Sequence, residues 1–140
     1  MSFEICLLLF NLMDIESVRN YCLQKKSATE ELPFDEDSPV YKVMGKIFAI
    51  TNLIPPYSIN LKCDPEKAVE LRERYEAVTP GYHMNKTHWN TIELDGNISP
   101  KLIKQWIDHS YDLVVNGLTK KVMPGADQPL AEKRETWKTN

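Results

Sequence analysis

The sequence predicts one mixed domain in which helices pack on a β-sheet, and three observations carry that expectation. Capped amphipathic helix patterns begin at Asp14, Asp64 and Ser99. Alternating or β-branched runs fill the stretches between them, and Gly45 separates two such runs as the turn of a tight hairpin. At 140 residues the chain fits a single domain with a real hydrophobic core, and 42% hydrophobic with 26% charged residues is the composition of a globular protein. The net charge of −3 and a pI near 5.6 exclude a global basic field, so any contact with phosphate must be local. Cys6, Cys22 and Cys63 are odd in number and form no CxxC pair, which points to reduced thiols in a cytosolic protein.

In chain order, Ile5-Cys6-Leu7-Leu8-Leu9-Phe10 is an apolar run without a basic flank or a cleavage site. It is too short for a membrane span, which takes about 20 residues, so no membrane association is expected. Asp14 caps a helix to about Lys25 with Ile15, Val18, Tyr21 and Cys22 on one face. The folded domain is therefore expected to start at Met13, the preceding segment being an upstream start or an extra helical turn. Leu32-Pro33-Phe34 reads as a short edge piece because its proline cannot donate to a ladder. Val40–Met44 and Lys46–Thr51 form the hairpin, and Tyr57–Lys62 alternates with Tyr57, Ile59 and Leu61 inward and Ser58, Asn60 and Lys62 outward.

Asp64-Pro65-Glu66 opens a second helix with Ala68, Leu71 and Tyr75 buried and Glu70, Arg72, Glu73, Arg74 and Glu76 solvated. A strand over Asn90–Leu94 puts Ile92 and Leu94 inward, and Asp95-Gly96 turns the chain. The third helix begins at Ser99-Pro100, buries Ile103, Trp106, Ile107, Ser110, Tyr111, Val114 and Leu118, and is expected to end near Gly117. Thr119–Asn140 lacks sustained apolar periodicity and reads as a mobile tail, and the chain has no internal repeat.

The connector Pro80-Gly81-Tyr82-His83-Met84-Asn85-Lys86-Thr87-His88-Trp89-Asn90 concentrates aromatic, imidazole, amide and cationic groups where a scaffold would present them. The plainer alternative makes Trp89 and Tyr82 half-buried lids over the core, with the histidines as polar trim.

Three stretches, Leu61-Lys62-Cys63-Asp64-Pro65, this connector, and Ile107-Asp108-His109-Ser110-Tyr111-Asp112-Leu113-Val114, resemble the MmcQ/YjbR family in order and spacing. So do Val18-Arg19-Asn20-Tyr21-Cys22 and Lys42-Val43-Met44-Gly45-Lys46-Ile47-Phe48-Ala49, and the resemblance runs from Met13 to about Lys121. It divides the chain into a domain over 13–121, an N-terminal extension over 1–12 and a flexible tail over 122–140. It implies an α+β fold of the CyaY-like type, an antiparallel sheet against helices, and a DNA-binding protein with a double-wing arrangement of hairpins. Fold-level analogy alone does not locate a site.

On the nucleic-acid reading, Lys62, Lys86, His83 and His88 meet phosphate, Asn60, Asn85 and Asn90 hydrogen-bond phosphate or base edges, and Trp89 or Tyr82 stacks on an unpaired base. With two lysines nearby, few counterions would be released and binding should be weak at physiological salt. The tail adds Lys120, Lys121, Lys133, Arg134 and Lys138 against Asp127, Glu132 and Glu135, a formal +2. The rival reading is a protein or small-ligand interaction domain that uses the same surface with Trp89 as its anchor.

His83, His88 and Asp95 form no recognisable metal pattern, and no cofactor is expected. A Cys63 thiolate with His83 or His88 as base and Asp64 to orient the imidazole is conceivable, but a cysteine at a strand-to-helix junction is more often a small apolar residue. The chain is therefore expected not to be an enzyme. If the strands holding Lys62 and Trp89 are neighbours, Asn60, Lys62, Trp89 and Thr91 form one outward patch with Lys86 at its rim.

Overall fold

The computed structural model describes residues 14–33, 36–82 and 84–122, with side chains to Leu118. The expected extension over 1–12, nearly all of the expected tail over 122–140, and His83 lie outside the described residues. Among the described residues three helices, α1 (Ile15–Leu23), α2 (Pro65–Arg74) and α3 (Pro100–Val122), accompany six strands. The strands are β1 (Ala28–Glu31), β2 (Val40–Val43), β3 (Lys46–Asn52), β4 (Ser58–Lys62), β5 (Val78–Pro80) and β6 (Trp89–Glu93). They form one antiparallel sheet in the order β1-β2-β3-β4-β6-β5, so the fold is α+β as expected.

The helix starts follow from side chains that accept otherwise orphaned N–H groups. Asp14 accepts from Ser17 N at 2.8 Å, Asp64 from Lys67 N at 3.4 Å, and Ser99 Oγ from Leu102 N at 3.2 Å. The hairpin between β2 and β3 turns on Met44 and Gly45 with φ of 50° and 82°, both in the region a two-residue turn requires. The β2–β3 register shifts beyond Tyr41, where Ala49 is its partner but Ile47 pairs Lys42, so Phe48 is an extra residue. Ser110 of α3, fully buried, donates to the Phe48 carbonyl at 2.5 Å and accepts from Lys62 N at 2.9 Å. One hydroxyl thus ties α3 to both β3 and β4.

The core lies between the sheet and its helices. Tyr41, Phe48, Ile59, Leu61 and Ile92 pack with Val18, Cys22, Ala68, Leu71, Trp106, Ile107 and Tyr111, and the Phe48 and Tyr111 rings meet edge to face at 5.2 Å. α3 lies over β3 and β4, and α2 over β5 and β6. None of the described helices is long and apolar enough to cross a membrane.

Several expectations are corrected. The edge strand is Ala28–Glu31, not Leu32-Pro33-Phe34. Its carboxylates are held by Arg19, at 2.7 and 2.9 Å from Glu30, and by Lys42, 3.3 Å from Glu31. Leu32 is exposed, and Phe34 lies outside the described residues. Tyr57 is exposed because β4 begins one residue later, and its carbonyl accepts from Leu94 N at 2.9 Å. Val78–Pro80 is a strand that sequence patterning leaves out. Gly117 does not end α3, which continues to Val122. Helical hydrogen bonding tolerates a glycine at a modest cost in propensity.

Candidate ligand-binding face of the sheet

Ladder register places the candidate residues. Asn60 pairs with Thr91 and Lys62 with Trp89 across β4 and β6, so these four side chains lie on the face opposite Ile59, Leu61 and Ile92. Ile50 pairs Asn60 on the other side, which extends the row over β3. Lys62, Trp89, Asn60 and Thr91 are half-buried, while Lys86, His88 and Asn85 are exposed on the 81–88 connector. The outward patch thus exists as a geometric unit.

Asn90 is removed from that surface. It pairs Leu61 on the inner face and is 1% exposed, and both ends of its amide are engaged. Its Oδ1 accepts from Arg72 Nε at 2.7 Å, and its Nδ2 donates to the Ala68 carbonyl at 3.3 Å. Arg72 is the other correction. Instead of joining a solvated face, its guanidinium also donates to the Lys86 carbonyl and, at 3.3 Å, to the Trp89 carbonyl. Arg72 lies four residues after the buried Ala68, on the same side of α2, and the fold brings the connector's carbonyls over it.

The connector is further fixed by Gly81 N–H donating to the Trp89 carbonyl at 2.8 Å, Cys63 N–H to the His88 carbonyl at 2.7 Å, and Thr87 N–H to Asn85 Oδ1 at 2.9 Å. A Cβ on Gly81 would lie 2.7 Å from Trp89 Cβ and 3.0 Å from its carbonyl oxygen, so glycine is required by close approach. Lys86 Nζ donates inward to the Gly81 carbonyl at 3.3 Å. Beside the connector a cleft of about 610 Å³ opens on the outer face. Ile50, Pro56, Tyr82 and Met84 supply its apolar surface, Ser58, Asn60 and Thr91 its polar floor, and Glu93 its one charged group among the described lining residues.

Cys63 is buried, and burial pushes its thiol pKa up, which opposes the thiolate a nucleophile needs. Among the described histidines it is His109, not His88, that meets the Asp64 backbone. His109 Nε2 accepts from Asp64 N at 3.3 Å, and burial, helped by Lys67, holds its pKa below the usual histidine value. No cluster of three or more His, Cys, Asp or Glu suited to a metal ion occurs among the described residues. On the helix side, Asp108 accepts from Tyr21 OH at 2.7 Å and pairs with Lys25, whose ammonium lies 5.3 Å from the Tyr21 ring and 5.5 Å from that of Tyr111. These contacts join α1 to α3. Tyr21 and Asp108 are 87 positions apart, a meeting that sequence spacing cannot reveal.

Comparison with known proteins agrees with this architecture. The chain is 40% identical over 99 residues to the uncharacterized protein YbdF of Escherichia coli O157:H7, covering 66% of this chain and 80% of that protein. It is 33% identical over 110 residues to the uncharacterized protein YjbR of Escherichia coli strain K12, covering 78% and 93%. Among solved structures it is similar to Deinococcus radiodurans DR2400, which has a DUF419 family-model domain, with a TM-score of 0.70, 31% identity and coverage of 86% and 87%. A Pseudomonas syringae protein matches with a TM-score of 0.66, 28% identity and coverage of 72% and 98%. With the YjbR family model matching residues 23–113, the chain belongs to the YjbR family.

Proposed function

We propose that the protein is a non-enzymatic, cytoplasmic DNA-binding module that takes a single-stranded segment across the outer face of β4 and β6. The observation that carries this reading is the ladder register, which sets Asn60 beside Thr91 and Lys62 beside Trp89 on one face. A ring, an amide, a hydroxyl and a cation on one face suit an unpaired strand, since every base offers a π-face and every linkage a phosphate. A duplex is less well served. The chain is acidic and Arg72 is committed to the connector, which leaves Lys62 and Lys86 as the described lysines at this patch for counterion release.

Fluorescence anisotropy with labelled single-stranded and duplex oligonucleotides over a salt series tests the proposal. Lys62→Ala and Lys86→Ala should weaken single-strand binding regardless of sequence and flatten its salt dependence, and Trp89→Ala should cost about 1–3 kcal/mol through lost stacking. Folded lysine variants that bind like the parent would sink it. A second reading, a protein or small-ligand interaction domain, is favoured by two observations: no cation lines the described part of the cleft, and Lys86 is turned inward to Gly81.

A further inference from the structure

The cleft carries a hydrogen-bond polarity that narrows its ligand. Tyr82 N–H donates to Thr91 Oγ1 at 2.9 Å, so that hydroxyl has an acceptor role already filled. The Thr91 hydroxyl in turn donates to Asn60 Oδ1. In this arrangement the Asn60 amide has its oxygen toward Thr91 and its NH2 turned away from it. No acceptor among the described residues meets that NH2, and Asn60 lines the cleft. Glu93 stands two residues beyond Thr91 on the same face, diagonal to Asn60, within the roughly 7–8 Å typical of diagonal cross-strand neighbours. It is exposed, and its carboxylate has no partner among the described residues.

We infer that the cleft is a site for a planar 2-amino-4-oxo edge, the edge shared by guanine and pterin rings. A ring carbonyl would accept from Asn60 Nδ2, and the adjacent ring N–H and exocyclic NH2 would donate together to the Glu93 carboxylate. Adenine and cytosine offer that carboxylate one donor group only, and a uracil edge sets a second carbonyl against it. Ile50, Pro56 and Met84 give the ring an apolar bed, and Tyr82 stands at the rim. The cleft volume is that of a small-molecule site, and its carboxylate favours a ligand edge that donates hydrogen bonds. The inference deepens the proposed function and shares its premise that the outer face binds.

The experiment is titration of the full-length, 15N-labelled protein with guanosine, adenosine, inosine and pterin, followed by the Asn60 side-chain amide resonance and by calorimetry. Guanosine should bind at least about tenfold more tightly than adenosine, inosine should fall between them for want of the 2-amino group, and the Asn60 NH2 signal should shift on binding. Glu93→Gln, at an exposed position that should not disturb folding, should erase the preference for guanosine. Pterin binding alone would support the edge chemistry and identify a free pterin as its source. Equal binding of adenosine and guanosine, a preference that survives Glu93→Gln, or no saturable binding of guanosine and pterin would overturn the inference. Single-strand binding that ignores guanine content would overturn it too while leaving the proposed function standing, whereas guanosine binding without oligonucleotide binding would do the reverse.

Discussion

Replacing Arg72 with alanine should destabilise the domain far more than its place on a charged helix suggests. The change removes the 2.7 Å bond to Asn90 Oδ1 and the donors to the Lys86 and Trp89 carbonyls. Asn90 is 1% exposed, so water cannot replace the lost donor without opening the α2–β6 contact. A buried acceptor left unpaired costs about 1–3 kcal/mol, and hydrogen bonds to a charged group contribute about 1.5–3 kcal/mol. Because the two describe overlapping losses, the sum is not additive, and about 2–4 kcal/mol is expected. In a domain of this size each kcal/mol moves Tm by about 4 °C, so a scanning melt should fall by about 8–16 °C. Arg72→Lys should recover little, since an ammonium cannot reproduce the fork. Arg74→Ala is the control: its partner Glu70 is 4.0 Å away, both side chains are exposed, and under about 0.5 kcal/mol should be lost. A double-mutant cycle with Asn90→Ala should show strong coupling. Arg72→Ala melting with Arg74→Ala, or additivity with Asn90→Ala, would refute the reasoning.

Gly81→Ala should cost about 1–3 kcal/mol and broaden connector resonances in an NMR spectrum, because its Cβ would meet Trp89 at 2.7 Å; an unchanged melt would show that the connector yields freely. His109 has its folded pKa below the unfolded value, so the unfolded chain binds the extra proton and stability should fall as pH drops from above the unfolded pKa toward the folded one. His109→Gln should flatten that part of a urea-midpoint profile against pH; an unaltered slope there would remove His109 as its source. Asp112 has its pKa raised first by burial, with Asp108 adding and Lys25 opposing, so its charge burdens the folded state above the unfolded pKa. Asp112→Asn should therefore raise Tm at pH 7, with the gain fading as pH falls through the folded and then the unfolded pKa. A gain that persists in acid would point to packing instead.

How much was legible in the sequence depended on how local each cause is. Asp14, Asp64-Pro65 and Ser99-Pro100 place helix starts because a cap acts three residues away, and Gly45 marks its hairpin because the turn needs two positive φ angles. The outer patch was legible too, since the two-residue period that sends Ile59 and Leu61 inward sends Asn60 and Lys62 outward. The same period sets Asn90 beside Ile92 on the inner face, away from the outward contact residues. β5 was hidden because three residues ending in proline carry too little pattern, and β1 because Thr29, Glu30 and Glu31 are polar. Arg72 and Ser110 were invisible for another reason. Their partners lie 14–18 and 48–62 residues away, and no local pattern encodes such meetings. The cleft likewise depends on β3, β4, β6 and two connectors converging.

The two outermost strands have a consequence for how copies of this protein meet. β1 is four residues long with Glu30 and Glu31 fastened by Arg19 and Lys42, and β5 is three residues long and ends in Pro80, which has no N–H to offer. Neither margin supplies the long, flat, hydrogen-bonding border on which sheets of separate molecules join end to end. Among the described strands, both edges thus disfavour open-ended growth by strand addition. Strand addition at β1 or β5 is therefore a poor route by which copies of this chain would join.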